Sequence, residues 1–311
     1  MIVKRRVVFP EHTNPHGSAF GGDIMRWVIE GAREQVQADA ALKTDEPLKN
    51  PLRLMKVDNL AFSKPIYPGE VITVEAEETE FFMGGMFCSS TALLVDRQGV
   101  KHTGNDKIEV AATFNGNFRA FSDNAMLKAA RDSSLAPALQ STPRTRPEYV
   151  IQPSARFGPS DYKGKGLFVD ESKVLSAADM GVSYHASKLV QLGEAGFLVT
   201  KGVDGRFHSG ALTSEAIEVR TEIVSSTETS LEVLAFVNAL PVGFKGDEAL
   251  RLPARCAAEI TFEMVMIRQN AEGNFASTKL PQHIQNIENW RRVSGRNLHQ
   301  LLNSTRERTR I

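Results

Sequence analysis

The sequence predicts an α+β fold in which a long central helix is wrapped by a curved antiparallel sheet, and it predicts this arrangement twice. A glycine-rich turn runs directly into an apolar pattern of helical spacing, and strand-like runs separated by Pro and Gly follow. The length of 311 residues suits two domains of ordinary size. A helix packed on one sheet is the simplest way to bury both apolar faces.

The first half begins with a short apolar strand at residues 7–9, which Pro10 ends. The glycine-rich turn occupies residues 14–23, and apolar side chains at helical spacing predict a helix from Asp23 to about Leu42. Pro and Gly residues then separate four strand-like runs, a pattern typical of a meander. These runs are 55–62, 71–81, 87–95 and 108–114.

Regular patterning stops after residue 116, where prolines are scattered among Ser, Arg and Asp. We interpret 119–165 as a linker in which 124–131 can form a short helix. The plan then repeats, with a strand at 168–175, a turn at 181–186, a helix at 187–199, and strands at 216–224, 231–237 and 254–267. The predicted domains are 1–118 and 166–281, with a helical C-terminal tail at 282–311.

The composition excludes several classes of function. Basic and acidic residues number 37 each, so no net field attracts nucleic acid or an anionic membrane. Cys88 and Cys256 are too few for a disulfide framework and lie in no metal-ligand spacing, which favours a reducing compartment without a metal site. No signal peptide or membrane-spanning segment is recognisable. We expect a soluble, cytoplasmic protein.

The glycine-rich turn is the strongest candidate for a functional site. Glycines let a ligand approach the main chain, and the first turn of a helix leaves amides unpaired beside a partial positive charge. The amides of Gly22 and Asp23 can therefore hydrogen-bond a carbonyl oxygen or a developing oxyanion. Glu30 follows within the apolar helix, where burial would raise the pKa of a carboxylate.

A weak internal repeat extends this pattern to the second half. When Phe20 is set on Tyr184, Glu30 falls on Glu194, so each half carries a carboxylate at the same depth of an apolar helix. We interpret the repeat as an internal duplication. The same alignment sets Asn14 on Ala178, so only the first half keeps the Asn.

The segment from Phe9 to Gly22 resembles the signature of the hotdog-fold acyl-CoA thioesterases. That family pairs an Asn-x-x-Gly-x-x-Phe/His-Gly-Gly turn with an acid two turns into the central helix, and residues 14–22 match the turn. Residues 62–71 are similar to the family's strand-Pro-x-x-x-Gly-Asp/Glu turn. The length resembles tandem members, which implies two hotdog domains in tandem. Their sheets would join edge to edge, with the active site at the seam.

The resemblance implies hydrolysis of acyl-CoA to a free acid and CoA, with coenzyme A as part of the substrate and no separate cofactor. It implies that Asn14 from one half meets Glu194 from the other, the carboxylate acting as base or nucleophile. Glu30 would be the counterpart of Glu194. The family's acid usually lies seven positions after the second glycine, at Ile29 here, so both glutamates are one position out of register. Tandem members also assemble further, which implies a homo-oligomer such as a trimer.

Several other residues are candidates for substrate contacts or structural roles. Asp23 fits a first-turn acid that complements the helix dipole, and His16 and Gly21 belong to the turn. Ser89 and Ser90 can line a pantetheine tunnel. Basic residues at the mouth of such a tunnel can bind the CoA phosphates, and the candidates are Lys56, Lys64, Arg119 and Lys188.

Two alternatives remain open from the sequence. Asp179 and His185 are similar to the Asp and His of hotdog hydratases and dehydratases, although they are six rather than five positions apart. The second alternative is a non-catalytic acyl-CoA-binding module, in which Ile29 and Gly193 mark lost catalytic acids.

Overall fold

The computed structural model describes residues 2–14, 16–44, 48–82, 85–96, 108–132, 155–157, 167–190, 196–241, 255–270, 275–281 and 284–285. Three helices occur in this part of the chain, α1 (Gly21–Thr44), α2 (Asp123–Asp132) and α3 (Glu171–Val190), together with a 3-10 turn at Pro10–His12. The strands of the first half are β1 (Ile2–Val7), β2 (Leu52–Phe62), β3 (Val71–Phe82), β4 (Met86–Asp96) and β5 (Ile108–Ala120). The strands of the second half are β6 (Ala155–Phe157), β7 (Phe197–Phe207), β8 (Ala216–Ser226), β9 (Ser230–Leu240), β10 (Arg255–Gln269) and β11 (Phe275–Ser277).

The eleven strands form one antiparallel sheet in the order β1-β3-β4-β5-β2-β7-β10-β9-β8-β6, with β11 on β10. The halves join where β2 pairs with β7, for example at Lys56 and Arg206. From this seam outward, the second half repeats the strand path of the first. The two long helices contact each other, and residues from both halves share one apolar core.

Helix α1 confirms the predicted helix to within two positions at each end. Its apolar stripe is fully buried, comprising Met25, Val28, Ile29, Ala32 and Val36. The four strands predicted after α1 are present, and so are the last three predicted in the second half. The strand predicted at 7–9 lies earlier, as β1 at Ile2–Val7, and the strand predicted at 168–175 is wrong, because α3 begins at Glu171. Their alternating burial follows the period of two by which successive side chains point to opposite faces of a sheet.

The segment predicted as a linker contains more structure than expected. The short helix predicted at 124–131 is present as α2, and its Met126 and Ala130 pack against Phe168 and Leu212 of the second half. Strand β6 also lies within 119–165 and pairs with β8, so the segment predicted as a linker contributes a strand to the second half of the sheet. Most of the predicted tail, residues 286–311, lies outside the described residues.

The predicted register of the second-half helix is wrong. Helix α3 runs from Glu171 to Val190, through the residues predicted as a strand and a turn, rather than over 187–199. Between positions 171 and 179 only Lys173 and Ser176 are even partly exposed. A helix that is buried on nearly every side shows no clear polar face, and periodicity alone does not distinguish it from a buried strand.

Backbone hydrogen bonds give the correct alignment of the halves. The amide of Ala19 donates to Ile66 O before α1, and that of Val169 donates to Ala211 O before α3. The first helical amides then donate to Phe20 O in α1 and to Asp170 O in α3. The two helices therefore correspond when Phe20 is set on Asp170, and not on Tyr184 as the sequence comparison had it.

Within the described residues, no helix is long and apolar enough to cross a membrane.

Candidate active site

The start of α1 packs directly against the middle of α3. A Cβ built on Gly22 would come closer than 3.0 Å to the Ser176 Oγ, a separation that real Cβ atoms do not show. A Cβ on Gly21 would lie 3.1 Å from the Asp179 Oδ2. The glycine pair therefore leaves room for the side chains of Ser176 and Asp179, which would have to shift if either glycine carried a Cβ.

Asp179 is the carboxylate that the fold brings to the glycine-rich turn. Its side chain is 2% exposed, and it accepts hydrogen bonds from the Thr200 Oγ1 at 2.6 Å and from the Gly22 amide. Burial raises the pKa of Asp179 to about 6, against the opposing effect of the hydrogen bonds from Thr200 and Gly22. The group is thus mostly ionised at neutral pH while its pKa stays close to that of an effective general base.

The two helix starts differ in whether their amides are capped. Phe20 precedes α1 and has no side-chain acceptor. The Asp23 amide, predicted as an oxyanion donor, donates to Phe20 O, whereas the Gly22 amide donates to Asp179. Asp170 precedes α3, and its Oδ1 accepts from the Ser172 amide at 2.8 Å and from the Ser172 Oγ. The start of α3 is therefore occupied by its own cap, whereas the start of α1 offers a donor to Asp179.

The crevice related to this one by the internal repeat carries no equivalent pair. When Phe20 is set on Asp170, Ile29 takes the place of Asp179. Strands β2 and β7 each contain a bulge, at Met55 and Lys201 respectively. When these bulges are set on each other, Leu54 of β2 corresponds to Thr200 of β7. Ile29 and Leu54 are both fully buried. One crevice has an acid and a hydroxyl, and the other has two aliphatic side chains.

An ion-pair network occupies the second crevice. Arg33 of α1 contacts Asp170, and its guanidinium lies 2.9 Å from the Glu171 carboxylate. Glu171 is the second-half counterpart of Gly21. Burial raises the pKa of Glu171 against the opposing effect of Arg33. A small cavity lies beside this network and is lined by residues of β2, α2, α3 and the end of β7. The cavity therefore belongs to the second crevice and not to Asp179.

The predicted site residues of the turn hold its shape. Asn14 donates through Nδ2 to the Ser18 Oγ at 3.0 Å and accepts the His16 amide at 2.9 Å, so its side chain closes its own loop. The His16 ring stacks on Phe197 at the start of β7, with the ring centroids 3.7 Å apart. This stacking holds the first-half turn against the second half of the chain, which also supplies Asp179.

Of the two predicted glutamates, Glu30 does not lie with Asp179, and Glu194 is outside the described residues. The Glu30 carboxylate faces β1, at 3.2 Å from Arg6 and 3.5 Å from Lys4, and its side chain is 32% exposed. Glu194 lies outside the described residues, between the end of α3 at Val190 and the start of β7. The role predicted for Glu194 depended on a helix at 187–199, whereas residues 197–199 belong to strand β7.

The remaining candidates make local contacts. The Asp23 carboxylate pairs with Arg26 at 2.6 Å, consistent with a first-turn role. Ser89 is buried 3.4 Å from the Thr91 hydroxyl, and Ser90 donates to Asn115 at 2.7 Å on the more exposed face of the sheet. The cation candidates are engaged or undescribed: Lys56 pairs with Asp58, Lys64 with Glu109, Arg119 lies over Phe121, and the Lys188 side chain is not described.

The residues of the hydratase alternative have separate surroundings. Asp179 faces Gly22 and Thr200, whereas the buried His185 ring contacts the Thr221 hydroxyl of β8. Six positions along a helix correspond to about 120° around its axis and about 9 Å along it. The described contacts therefore give no shared site for the acid and the imidazole.

Sequence reasoning identified the turn but assigned Asp179 only to the hydratase alternative, and it missed Thr200 and Ser176. The family motif places its acid seven positions after the second glycine, which is Ile29 in the first half. The alignment that sets Phe20 on Asp170 makes Asp179 the second-half equivalent of Ile29. The wrong alignment led instead to Gly193 and Glu194. Thr200 had no comparable signal, since its importance comes from the fold of β7 beside α3.

No protein-family model matches the sequence, and no curated protein matches it. Solved structures of thioesterases match over most of their length. An acyl-ACP thioesterase from Bacteroides thetaiotaomicron is 12% identical with a TM-score of 0.53, over 84% of this chain and 96% of its own. A candidate oleoyl thioesterase from Lactobacillus plantarum is 10% identical with a TM-score of 0.54, over 85% and 94%. A candidate thioesterase from Novosphingobium aromaticivorans is 12% identical with a TM-score of 0.53, over 85% and 98%. At these identities the likeness establishes the fold, and the chain has the hotdog fold that the resemblance implied.

Proposed function

We propose that this protein is a thioesterase that hydrolyses acyl-CoA, and that its active site is the crevice between the start of α1 and the middle of α3. One observation carries the proposal: the buried Asp179 carboxylate accepts the Gly22 amide at a helix start that lacks a side-chain cap. A base and an oxyanion donor are thus within one hydrogen bond of each other, as attack on a thioester carbonyl requires.

In the proposed reaction, the thioester carbonyl oxygen accepts a hydrogen bond from the Gly22 amide and so replaces Asp179, which accepts that hydrogen bond in the free protein. Displaced from this amide, the Asp179 carboxylate removes a proton from a water molecule as the water oxygen attacks the carbonyl carbon. The helix start stabilises the negative charge that develops on the carbonyl oxygen. Collapse breaks the carbon–sulfur bond, and the proton on Asp179 passes to the departing thiolate, which yields the free acid and CoA.

Thr200 and Ser176 complete the proposed site. The Thr200 hydroxyl holds one carboxylate oxygen of Asp179, which sets the orientation of the group toward the turn. Ser176 lies one turn earlier on α3, against Gly22. Asn14 and His16 act in this proposal by shaping the turn and by fixing it to Phe197, respectively.

We further propose that the two halves are tandem hotdog units with one working site per chain. The repeated strand path supports this arrangement, and so do the matching backbone bonds that set Phe20 on Asp170. Ile29, Leu54 and the Arg33 ion pairs distinguish the second crevice from the first. We also propose a homo-oligomer, as the resemblance implies, and light scattering of the purified protein tests its mass.

The test measures free thiol released from an acyl-CoA series, acetyl to palmitoyl, with acylated carrier protein as a second donor. We expect turnover by the wild type and a loss of at least about 100-fold in Asp179→Asn, because general base catalysis contributes roughly 10²–10⁴. Glu30→Gln is the matched control, since it also removes one helix carboxylate, and it should keep near wild-type turnover.

Three outcomes separate the proposal from other functions. Binding of acyl-CoA without thiol release from any donor would mean a non-catalytic binder. Loss of enoyl absorbance without thiol release would mean a hydratase. Full activity in Asp179→Asn would remove the assigned base. Label in Asp179 after a single turnover in ¹⁸O-water would identify a nucleophile, because hydrolysis of the anhydride at the Asp179 carbonyl leaves a solvent oxygen there, whereas a general base acquires none.

A further inference from the structure

We propose that His208, Cys256 and Glu259 form a binding site for Zn²⁺ at the junction of β7 and β10. The imidazole nitrogen, the thiol sulfur and the carboxylate oxygen of these residues lie within 4.8 Å of one another. The His208 Nε2 is 3.6 Å from the Glu259 Oε1. The site is separate from the crevice at Asp179, and it does not depend on the proposed thioesterase function.

A β-bulge brings two of the ligands to the same face of the sheet. Positions 256 and 259 are three apart, so in a regular strand they would point to opposite faces. The pairing of β10 with β9 shifts register between Cys256 and Ala258, which leaves Ala257 as an extra residue. The bulge removes one step from the alternation and re-aims Cys256 toward the side of Glu259.

The same bulge also fixes the third ligand. His208 follows the last residue of β7, and its amide donates to the Ala257 carbonyl at 2.9 Å. The backbone of the bulge is therefore hydrogen-bonded to the residue that supplies the imidazole. Main-chain pairing of β10 with β9 and with the end of β7 positions the backbone of the three ligands. Rotation of their side chains would bring the ligand atoms to metal-binding distances.

The geometry and donor types suit zinc. Bonds of 2.0–2.3 Å in a tetrahedral site place ligand atoms about 3.5 Å apart, and the His208–Glu259 pair already has this separation. Cys256 is buried, whereas the His208 and Glu259 side chains are each 40% exposed. A set of one nitrogen, one sulfur and one oxygen favours Zn²⁺ over Mg²⁺ or Ca²⁺, which prefer oxygen ligands alone.

The first half shows that the fold does not require this cluster. Strand β5 has the equivalent bulge at Ala111, since Leu93 pairs with Ala112 and Leu94 pairs with Val110. The Ser63 amide donates to Ala111 O, as His208 does to Ala257 O. The positions equivalent to His208, Cys256 and Glu259 are Ser63, Val110 and Thr113, which offer no metal-binding set. The ligands are therefore specific to the second half.

The test uses the full-length protein, first stripped of metal with a chelator and then titrated with Zn²⁺ against a chromophoric competitor. Titration with Co²⁺ follows, because a thiolate ligand gives a charge-transfer absorption band that other ligands do not. We expect one equivalent to bind and the band to appear in the wild type. Cys256→Ser should abolish the band, and His208→Gln should weaken binding at least ~10-fold, as expected for loss of one of three ligands.

Cys88→Ser is the control, because it removes the other cysteine and should leave both readouts unchanged. His208 is partly exposed, so His208→Gln tests the site even where Cys256→Ser fails to fold. Absence of stoichiometric binding by the wild type would overturn the proposal. So would a charge-transfer band that persists in Cys256→Ser or disappears in Cys88→Ser.

Discussion

Replacing Asp179 by Asn should make the protein more stable at neutral pH while it removes turnover. The carboxylate is buried, and its pKa is raised from 3.8 to about 6. Each pH unit of such a difference corresponds to about 1.4 kcal/mol, so ionising Asp179 costs the folded state about 3 kcal/mol. Asn keeps an oxygen to accept the Gly22 amide and has nearly the same shape, so the packing between α1 and α3 should be retained.

The sign of the effect follows from proton binding. Between pH 3.8 and about 6 the folded wild type holds a proton on Asp179 that the unfolded chain has already released. The free energy of unfolding of the wild type therefore falls as pH rises through this window, and it levels off above it. Asn does not titrate, so the advantage of the variant should be absent near pH 4 and complete by pH 8.

The assay is equilibrium urea unfolding of wild type and Asp179→Asn at pH 4, 6 and 8. The difference in unfolding free energy between the proteins should grow by about 3 kcal/mol from pH 4 to pH 8. A difference that does not vary with pH would refute the assigned burial of a titrating carboxylate. Glu30→Gln is the matched comparison, because it makes the same change from carboxylate to amide at a part-exposed helix position.

Three further predictions follow from contacts around the site and the core. Thr200→Val should raise the pH of the acid limb of kcat/KM above the value near 6, because it removes a hydrogen bond to the ionised Asp179, whereas Thr200→Ser should not. Gly22→Ala should lower kcat/KM at least ~10-fold, since its Cβ would collide with the Ser176 hydroxyl and the Phe20 ring and so shift side chains at the site. Glu215→Ala should destabilise the fold by about 3–5 kcal/mol in urea unfolding, because it leaves the fully buried Arg255 without its carboxylate partner.

Each of these three has an outcome that contradicts it. An unchanged acid limb in Thr200→Val would mean that another group controls the pH profile. Wild-type kinetics in Gly22→Ala would mean that the approach of α1 to α3 is not needed for turnover. A decrease of less than about 1 kcal/mol in the unfolding free energy of Glu215→Ala would mean that this ion pair contributes no more than a surface ion pair does.

Much of the fold was predictable because its signals are local. The apolar spacing of α1, the period-two strands and the Pro and Gly punctuation each depend on neighbouring residues only. The predicted α1, the four strands that follow it and the last three strands of the second half are confirmed. The turn at Asn14–Gly22 was recognisable for the same reason. By contrast, α3 was misplaced because a helix start that is buried on nearly every side has no clear polar face to reveal its period.

The candidate site was predictable only in part, and the difference is physical. The sequence by itself determined a helix start with two glycines and an acid somewhere in a second buried helix. Only the tertiary structure decided that the acid is Asp179, because its burial, its contact with Gly22 and its bond to Thr200 arise where segments from opposite halves of the chain pack together. A raised carboxylate pKa depends on the groups that surround it, and for Asp179 these groups come from segments distant in the sequence.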